Sequence, residues 1–245
     1  MKRIALAAGL AVCSAALVAS ARADDTVLRR DKNGKDATLT GMIVDETPAG
    51  VKIKVGKDTQ LVPPDDIVDI GYQVKDVSDI DFRTPHGKEM EALALTGEDR
   101  KKGLADALKL YQDLQKRLKG SPMAQRYIEY RIAMVVVEQA KDDATKAPAA
   151  IDALNKYRTA NSGGWEIARA TKTLAHLLED AGQPAAARQA YEDLAANPDV
   201  PKDVALNTNL QVAQMLLREK KYGDAEQKLR RVLAEATDDK QRAYV

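Results

Sequence analysis

One spacing recurs along the chain and limits what it can fold into. A small residue is followed by a large one four positions on and another three further: Ala107-Tyr111-Leu114, Ala150-Leu154-Tyr157, Ala187-Tyr191-Leu194 and Ala225-Leu229-Val232. That spacing places all three on one face of an α-helix. The copies start 43, 37 and 38 residues apart, each shortly after a turn signal: Gly103, Pro148, Gly182-Gln183-Pro184 and Lys221 to Asp224. The last three are preceded by a second apolar helical stretch carrying Ile132-Ala133-Val136, Leu174-Ala175-Leu178 and Val212-Ala213-Leu216. Repeated helix–turn–helix units of this length predict an α-solenoid. The small residues Ala107, Ala150, Ala187 and Ala225 let the helices of a pair approach closely, and Tyr111, Leu154, Tyr191 and Leu229 fill the groove against the next pair. A single pair cannot bury its apolar face alone, so the stack is the folding unit. Aromatic residues are only 4%, with one Trp, one Phe and eight Tyr, and Ala-based helix pairing accounts for that low count.

Residues 24–82 follow another period. Thr26 to Arg29, Ala37 to Val44, Val51 to Val55, Thr59 to Val62 and Ile67 to Ile70 alternate apolar and polar residues, separated by Asn33-Gly34, Thr47-Pro48-Ala49-Gly50, Gly56-Lys57-Asp58 and Pro63-Pro64-Asp65-Asp66. Five short strands so close in sequence predict a small, strongly bent β-barrel, because closure removes unpaired edges. Gly41 inside the second strand predicts a bend or bulge there. The expected fold class is therefore α+β and mostly α, with a five-stranded barrel at 24–82 and a helical stack at 84–245.

The first 23 residues read as an address. Lys2 and Arg3 precede an apolar run from Ile4 to Ala19, and Ala21-Arg22-Ala23 precedes Asp24-Asp25. This is the pattern of a secretory signal peptide cleaved after Ala23, which predicts a periplasmic or secreted protein. Two alternatives stay open: an uncleaved membrane anchor, and a lipoprotein acylated at Cys13, where Leu10-Ala11-Val12-Cys13 approximates a lipobox with a poorly matching Val12. Cleavage removes three basic residues and the only cysteine, leaving 35 basic against 37 acidic residues in a chain that needs no disulfide.

The helical units resemble tetratricopeptide repeats. Leu174, Ala175, Leu178, Gly182, Ala187 and Tyr191 in the third copy and Ala213, Leu216, Tyr222, Ala225 and Leu229 in the fourth match that family's preferences. Thr171 and Asn209 stand where an aromatic residue usually opens the first helix, and the family's period of about 34 residues is exceeded. The strand-rich segment resembles SH3-like and Sm-like small barrels through Gly41-Met42-Ile43-Val44-Asp45-Glu46-Thr47-Pro48-Ala49-Gly50-Val51 and the closing run Pro63 to Ile70. The first resemblance implies a peptide-binding groove on the inner helices, which by matching positions would be lined by Arg169, Lys172, His176, Asn207, Gln214 and Arg218. Such a set suits an acidic peptide or a carboxylate end. The last predicted feature is a helix start at Thr237-Asp238-Asp239, which implies either a longer natural chain or a partner that covers the last pair.

Chemistry is sparse. No G-x-S-x-G, P-loop, H-E-x-x-H or C-x-x-C occurs. One cysteine and two histidines give little for a metal centre. The expectation is a non-enzymatic interaction protein of the bacterial cell envelope, with a protein partner, no catalytic residues, no cofactor and no metal. Membrane contact is expected only through the signal peptide or a lipidated Cys13. The barrel segment carries 8 basic and 13 acidic residues, which repels phosphate and argues against nucleic acid, while the helical part carries 27 basic and 24 acidic residues. Two alternative functions remain: a membrane-anchored lipoprotein that assists envelope assembly, and a divalent-metal or small-ligand binder through Asp65, Asp66, Asp69, Asp76, Asp79 and Asp81. Histidines His86, in the stretch between the two parts, and His176, near Glu179 and Asp180, are the remaining candidates for acid–base work.

Overall fold

The computed structural model describes residues 24–31 and 33–236. The signal-peptide reading, Cys13 and the helix start at Thr237 lie outside the described residues. Five strands come first: β1 (Asp25–Arg30), β2 (Asp36–Thr47), β3 (Gly50–Val55), β4 (Asp58–Val62) and β5 (Ile67–Gly71). Eight helices follow: α1 (Asp79–Leu93), α2 (Gly97–Arg117), α3 (Pro122–Asp142), α4 (Ala147–Ala160), α5 (Ile167–Asp180), α6 (Pro184–Ala196), α7 (Lys202–Arg218) and α8 (Tyr222–Glu235). The class is α+β, mostly α. Among the described residues no helix is long and apolar enough to cross a membrane.

The sheet is antiparallel with strand order β4-β3-β2-β1-β5. It is not closed into a barrel, which corrects the expectation from sequence: β4 and β5 stand at opposite ends and do not pair. Strand β2 is long enough to serve both halves. Its first part, Asp36 to Gly41, pairs with β1, and its second part, Met42 to Thr47, pairs with β3. The bend falls at Gly41, where an added Cβ would lie 2.1 Å from the carbonyl oxygen of Lys54. A register shift follows between Ile43 and Asp45. The Asp25 carboxylate fastens the bend, accepting from the backbone N–H of Ile43 at 2.9 Å and of Gln73 at 2.8 Å. Closure is unnecessary because helices, rather than a further strand pairing, cover part of the curved sheet.

Helix α1 starts at Asp79, inside the 24–82 segment expected to form the barrel domain though beyond its last expected strand. Ser78 caps it, its Oγ accepting from the Asp81 N–H at 3.0 Å, and Asp79 and Asp81 complement the positive helix end. The helix runs through Pro85, so His86 lies on α1 and not in a connector.

The helices form four consecutive hairpins, α1/α2, α3/α4, α5/α6 and α7/α8, and each helix packs on the next in sequence. Ala107, Ala150, Ala187 and Ala225 sit on α2, α4, α6 and α8 and are fully buried. Tyr111, Leu154 and Tyr191 are buried beside them, while Leu229 is half-buried. The last two hairpins repeat in detail. Helix α5 ends with Gly182 in the left-handed region, the Gln183 N–H bonding the Leu178 carbonyl and the Gly182 N–H that of Glu179. Thirty-eight residues on, Lys220 takes the same conformation, Lys221 bonds Leu216 and Lys220 bonds Leu217. Both are Schellman closures.

Sheet and stack share one core. Val27, Ile53 and Ile70 belong to the same buried apolar cluster as Leu104, Ile128, Leu154 and Leu174.

Candidate functional site

Two places on the first helices of the hairpins carry the polar side chains. One is open. Between α5 and α7 lies a cavity of about 420 Å³ lined by His176, Glu179, Tyr191, Gln211, Gln214, Leu217 and Arg218. The helical period explains the lining: Asn207, Gln211, Gln214 and Arg218 form one stripe on α7, all exposed, and face Lys172, His176 and Glu179 on α5. Arg218 Nη2 donates to Glu179 Oε1 at 2.7 Å and closes one end. His176 stands free in solvent with Nδ1 3.9 Å from Glu179 Oε2.

Of the six residues expected in the groove, His176, Gln214 and Arg218 line it. Lys172 and Asn207 are exposed one turn from His176 and Gln211 on the same helices. Arg169 does not face it. Its Nη2 donates to the carbonyl oxygens of Pro64 at 2.9 Å and Ile67 at 3.5 Å, and its guanidinium lies 5.8 Å from the centre of the Trp165 ring. The sheet takes this cation. Glu179, Tyr191, Gln211 and Leu217 also line the groove beyond the residues expected there; the stripe that Gln211 shares with Asn207 and Gln214 points to it.

The other place is closed, where the sheet meets α1, α3 and the start of α5. The scarce aromatic residues gather here. Tyr72 meets Phe82 and Tyr127 at 5.9 and 5.7 Å between ring centres, Tyr127 stacks on Trp165 at 6.2 Å, and Tyr130 bridges Trp165 and Tyr157. The single Trp, the single Phe and four of the eight Tyr are thus in one seam.

Charge is buried with them. Glu46 on β2 accepts from the Tyr72 hydroxyl at 2.6 Å through Oε1 and from Arg126 Nη2 through Oε2. Arg126 Nε, from α3, also donates to Glu166 Oε2 at 3.3 Å. Both carboxylates are wholly buried and Arg126 nearly so. Burial pushes the Glu46 carboxyl up to about 7, although Arg126 opposes it, and burial raises Glu166 as well. Gly164 permits the pair: a Cβ there would lie 2.6 Å from Glu166 Oε2 and 2.8 Å from Arg126 Nε.

A second cluster lies beside it. Arg131 Nη2 donates to Glu89 Oε2 at 2.5 Å and reaches His86 Nδ1 at 2.9 Å, and the Tyr111 hydroxyl donates to the same Glu89 oxygen at 2.7 Å. The other ring nitrogen of His86, Nε2, lies 3.9 Å from Asp69 Oδ2. Asp69 accepts from the Tyr127 hydroxyl. Burial alone would raise the Glu89 carboxyl, but His86, Arg131 and Tyr111 together hold it below its ordinary value.

The acids of the Asp65–Asp81 segment are dispersed. Asp65 and Asp66 form a short turn before β5, Asp79 pairs with Arg83 at 2.9 Å and Asp81 with Arg117 at 2.8 Å. Among the described residues no three of His, Cys, Asp and Glu come together as metal ligands.

What fold and site define is a small open sheet docked on a solenoid-like stack of helix hairpins with an open groove at its far end. In comparison with known proteins, no protein family, no curated protein and no solved structure matches the chain.

Proposed function

We propose that this protein is a non-enzymatic interaction scaffold of the bacterial cell envelope, exported by its N-terminal segment, whose tetratricopeptide-like stack holds an acidic peptide segment of a partner protein between α5 and α7. The observation that carries this reading is the open groove lined by the polar side chains His176, Gln211, Gln214 and Arg218, with Arg218 as its cation and Lys172 exposed one turn along α5. Further support comes from the 38-residue repetition of closure geometry in the last two hairpins. The paired Glu179 leaves Arg218 able to exchange one carboxylate for another, and Gln211 and Gln214 offer donors and acceptors to a peptide backbone.

A photo-crosslinking residue at Gln211, in native cells, should capture a discrete partner, and the same residue at exposed Lys109 on α2 should not. The double substitution Lys172→Glu, Arg218→Glu should then weaken that partner at least tenfold. Equal capture at both positions, or unchanged affinity, would end the groove assignment. Mass spectrometry of the mature N-terminus separates soluble export, beginning at Asp24, from the lipoprotein alternative, beginning at an acylated Cys13.

A further inference from the structure

The seam between sheet and helices holds more buried negative charge than positive. Glu46 comes from β2 and Glu166 immediately precedes α5, and among the described residues Arg126 of α3 is the one cation bonded to both. The other groups facing this cluster are hydroxyls, Tyr72 from the segment after β5 and Tyr157 from α4, which bring no positive charge. The neighbouring cations are engaged elsewhere. Arg131 is committed to Glu89 and His86, and Arg169 to the carbonyls of Pro64 and Ile67. Nearby Asp69 is occupied by the Tyr127 hydroxyl. With both glutamates ionised, an uncompensated negative charge would be sealed among aromatic rings, where burial disfavours the charged form.

We infer that the Glu46–Arg126–Glu166 cluster is a proton-controlled latch: the two carboxyls share one proton when the sheet is docked on the helices, and loss of that proton loosens the docking.

The sign follows from the direction of the shift. The Glu46 carboxyl is raised from an ordinary 4.5 to about 7, so the folded chain holds its proton more tightly than the unfolded one. That contribution is complete below pH 4.5, declines between 4.5 and 7, and is gone above it. The raised Glu166 carboxyl acts in the same sense. Groups with lowered values, such as Glu89 and Asp81, act oppositely, but only at more acidic pH. The latch is therefore tightest in mildly acidic solution and slackens towards alkaline pH.

Trp165, the only tryptophan, lies in the seam and reports on it directly. Urea unfolding of the full chain, followed by Trp165 fluorescence, should show a midpoint that falls from pH 5 to pH 7. A carboxyl raised from 4.5 to about 7 lowers the folding constant by up to about tenfold per pH unit, and by roughly fortyfold over this range because the loss levels off near 7. Glu46→Gln reproduces the protonated form, its amide donating to Tyr72 and its oxygen accepting from Arg126, and should flatten the dependence. A pH-independent midpoint in the native sequence, or an undiminished slope in the variant, would overturn the latch. Carboxyl-carbon NMR of the native sequence needs no variant: a glutamate titrating near neutrality is expected, and the absence of any carboxyl titrating above pH 6 would equally overturn it.

Discussion

The α3–α5 end of the stack and the α5–α7 end present equivalent surfaces, the first helices of successive hairpins, and they have opposite fates. At the first, the sheet is seated, the aromatic residues are concentrated, and charged side chains are buried against one another. At the second, none of the described residues is seated over the groove, and Lys172, Gln211, Gln214 and Arg218 stand in solvent. The contrast shows how one architecture provides both a covered interface and an open groove. The difference lies in side-chain chemistry. Rings and paired charges suit permanent burial; amides and single cations suit exchange with a partner.

Substitutions should separate the two ends by size of effect. The largest is expected at Arg126. Arg126→Ala leaves Glu46 and Glu166 buried without a cation and should cost about 3–5 kcal/mol in urea unfolding, since removing one member of a buried pair strands the other. Next comes Gly164→Val, whose side chain would displace Arg126 from Glu166; a loss of about 2–3 kcal/mol is expected, read as a lower thermal midpoint. A smaller and opposite change is expected at Lys220→Gly, which relieves the left-handed backbone at the α7 closure and should raise stability by up to about 1 kcal/mol. Smallest in stability is Lys172→Ala with Gln214→Ala. Both side chains are exposed, so unfolding should move by less than about 0.5 kcal/mol while partner capture at Gln211 is lost. A stability loss at the groove comparable to that at Arg126 would erase the distinction between the two ends.

Much of the stack could be read from the sequence because its constraints are local. The buried alanines declare themselves by their spacing to Tyr111, Leu154 and Tyr191, and Gly182 announces the end of α5. Helix α1 is hidden in the sequence because Pro85 reads as a breaker, whereas the helix that Ser78 caps seven residues earlier runs through it. The open sheet was read as a barrel because alternation reports which residues face inwards but not what covers the outer strands. The seam was invisible for a different reason. Arg126 lies 80 residues from Glu46 and 40 from Glu166, and no local pattern links residues so far apart. The same distance misassigned Arg169: its helical position is that of a groove residue, but Pro64 and Ile67, more than 100 residues away, claim its guanidinium.

The central claim is that the sheet and the helices it covers behave as one cooperative body. Native-state hydrogen exchange in increasing urea tests this directly, by following the amides of Ile53 on β3 and Val135 on α3. If the seam unites the two parts, both amides exchange through the same opening, with the same free energy and urea dependence. Exchange of Ile53 through a separate, smaller opening while Val135 stays protected would contradict it.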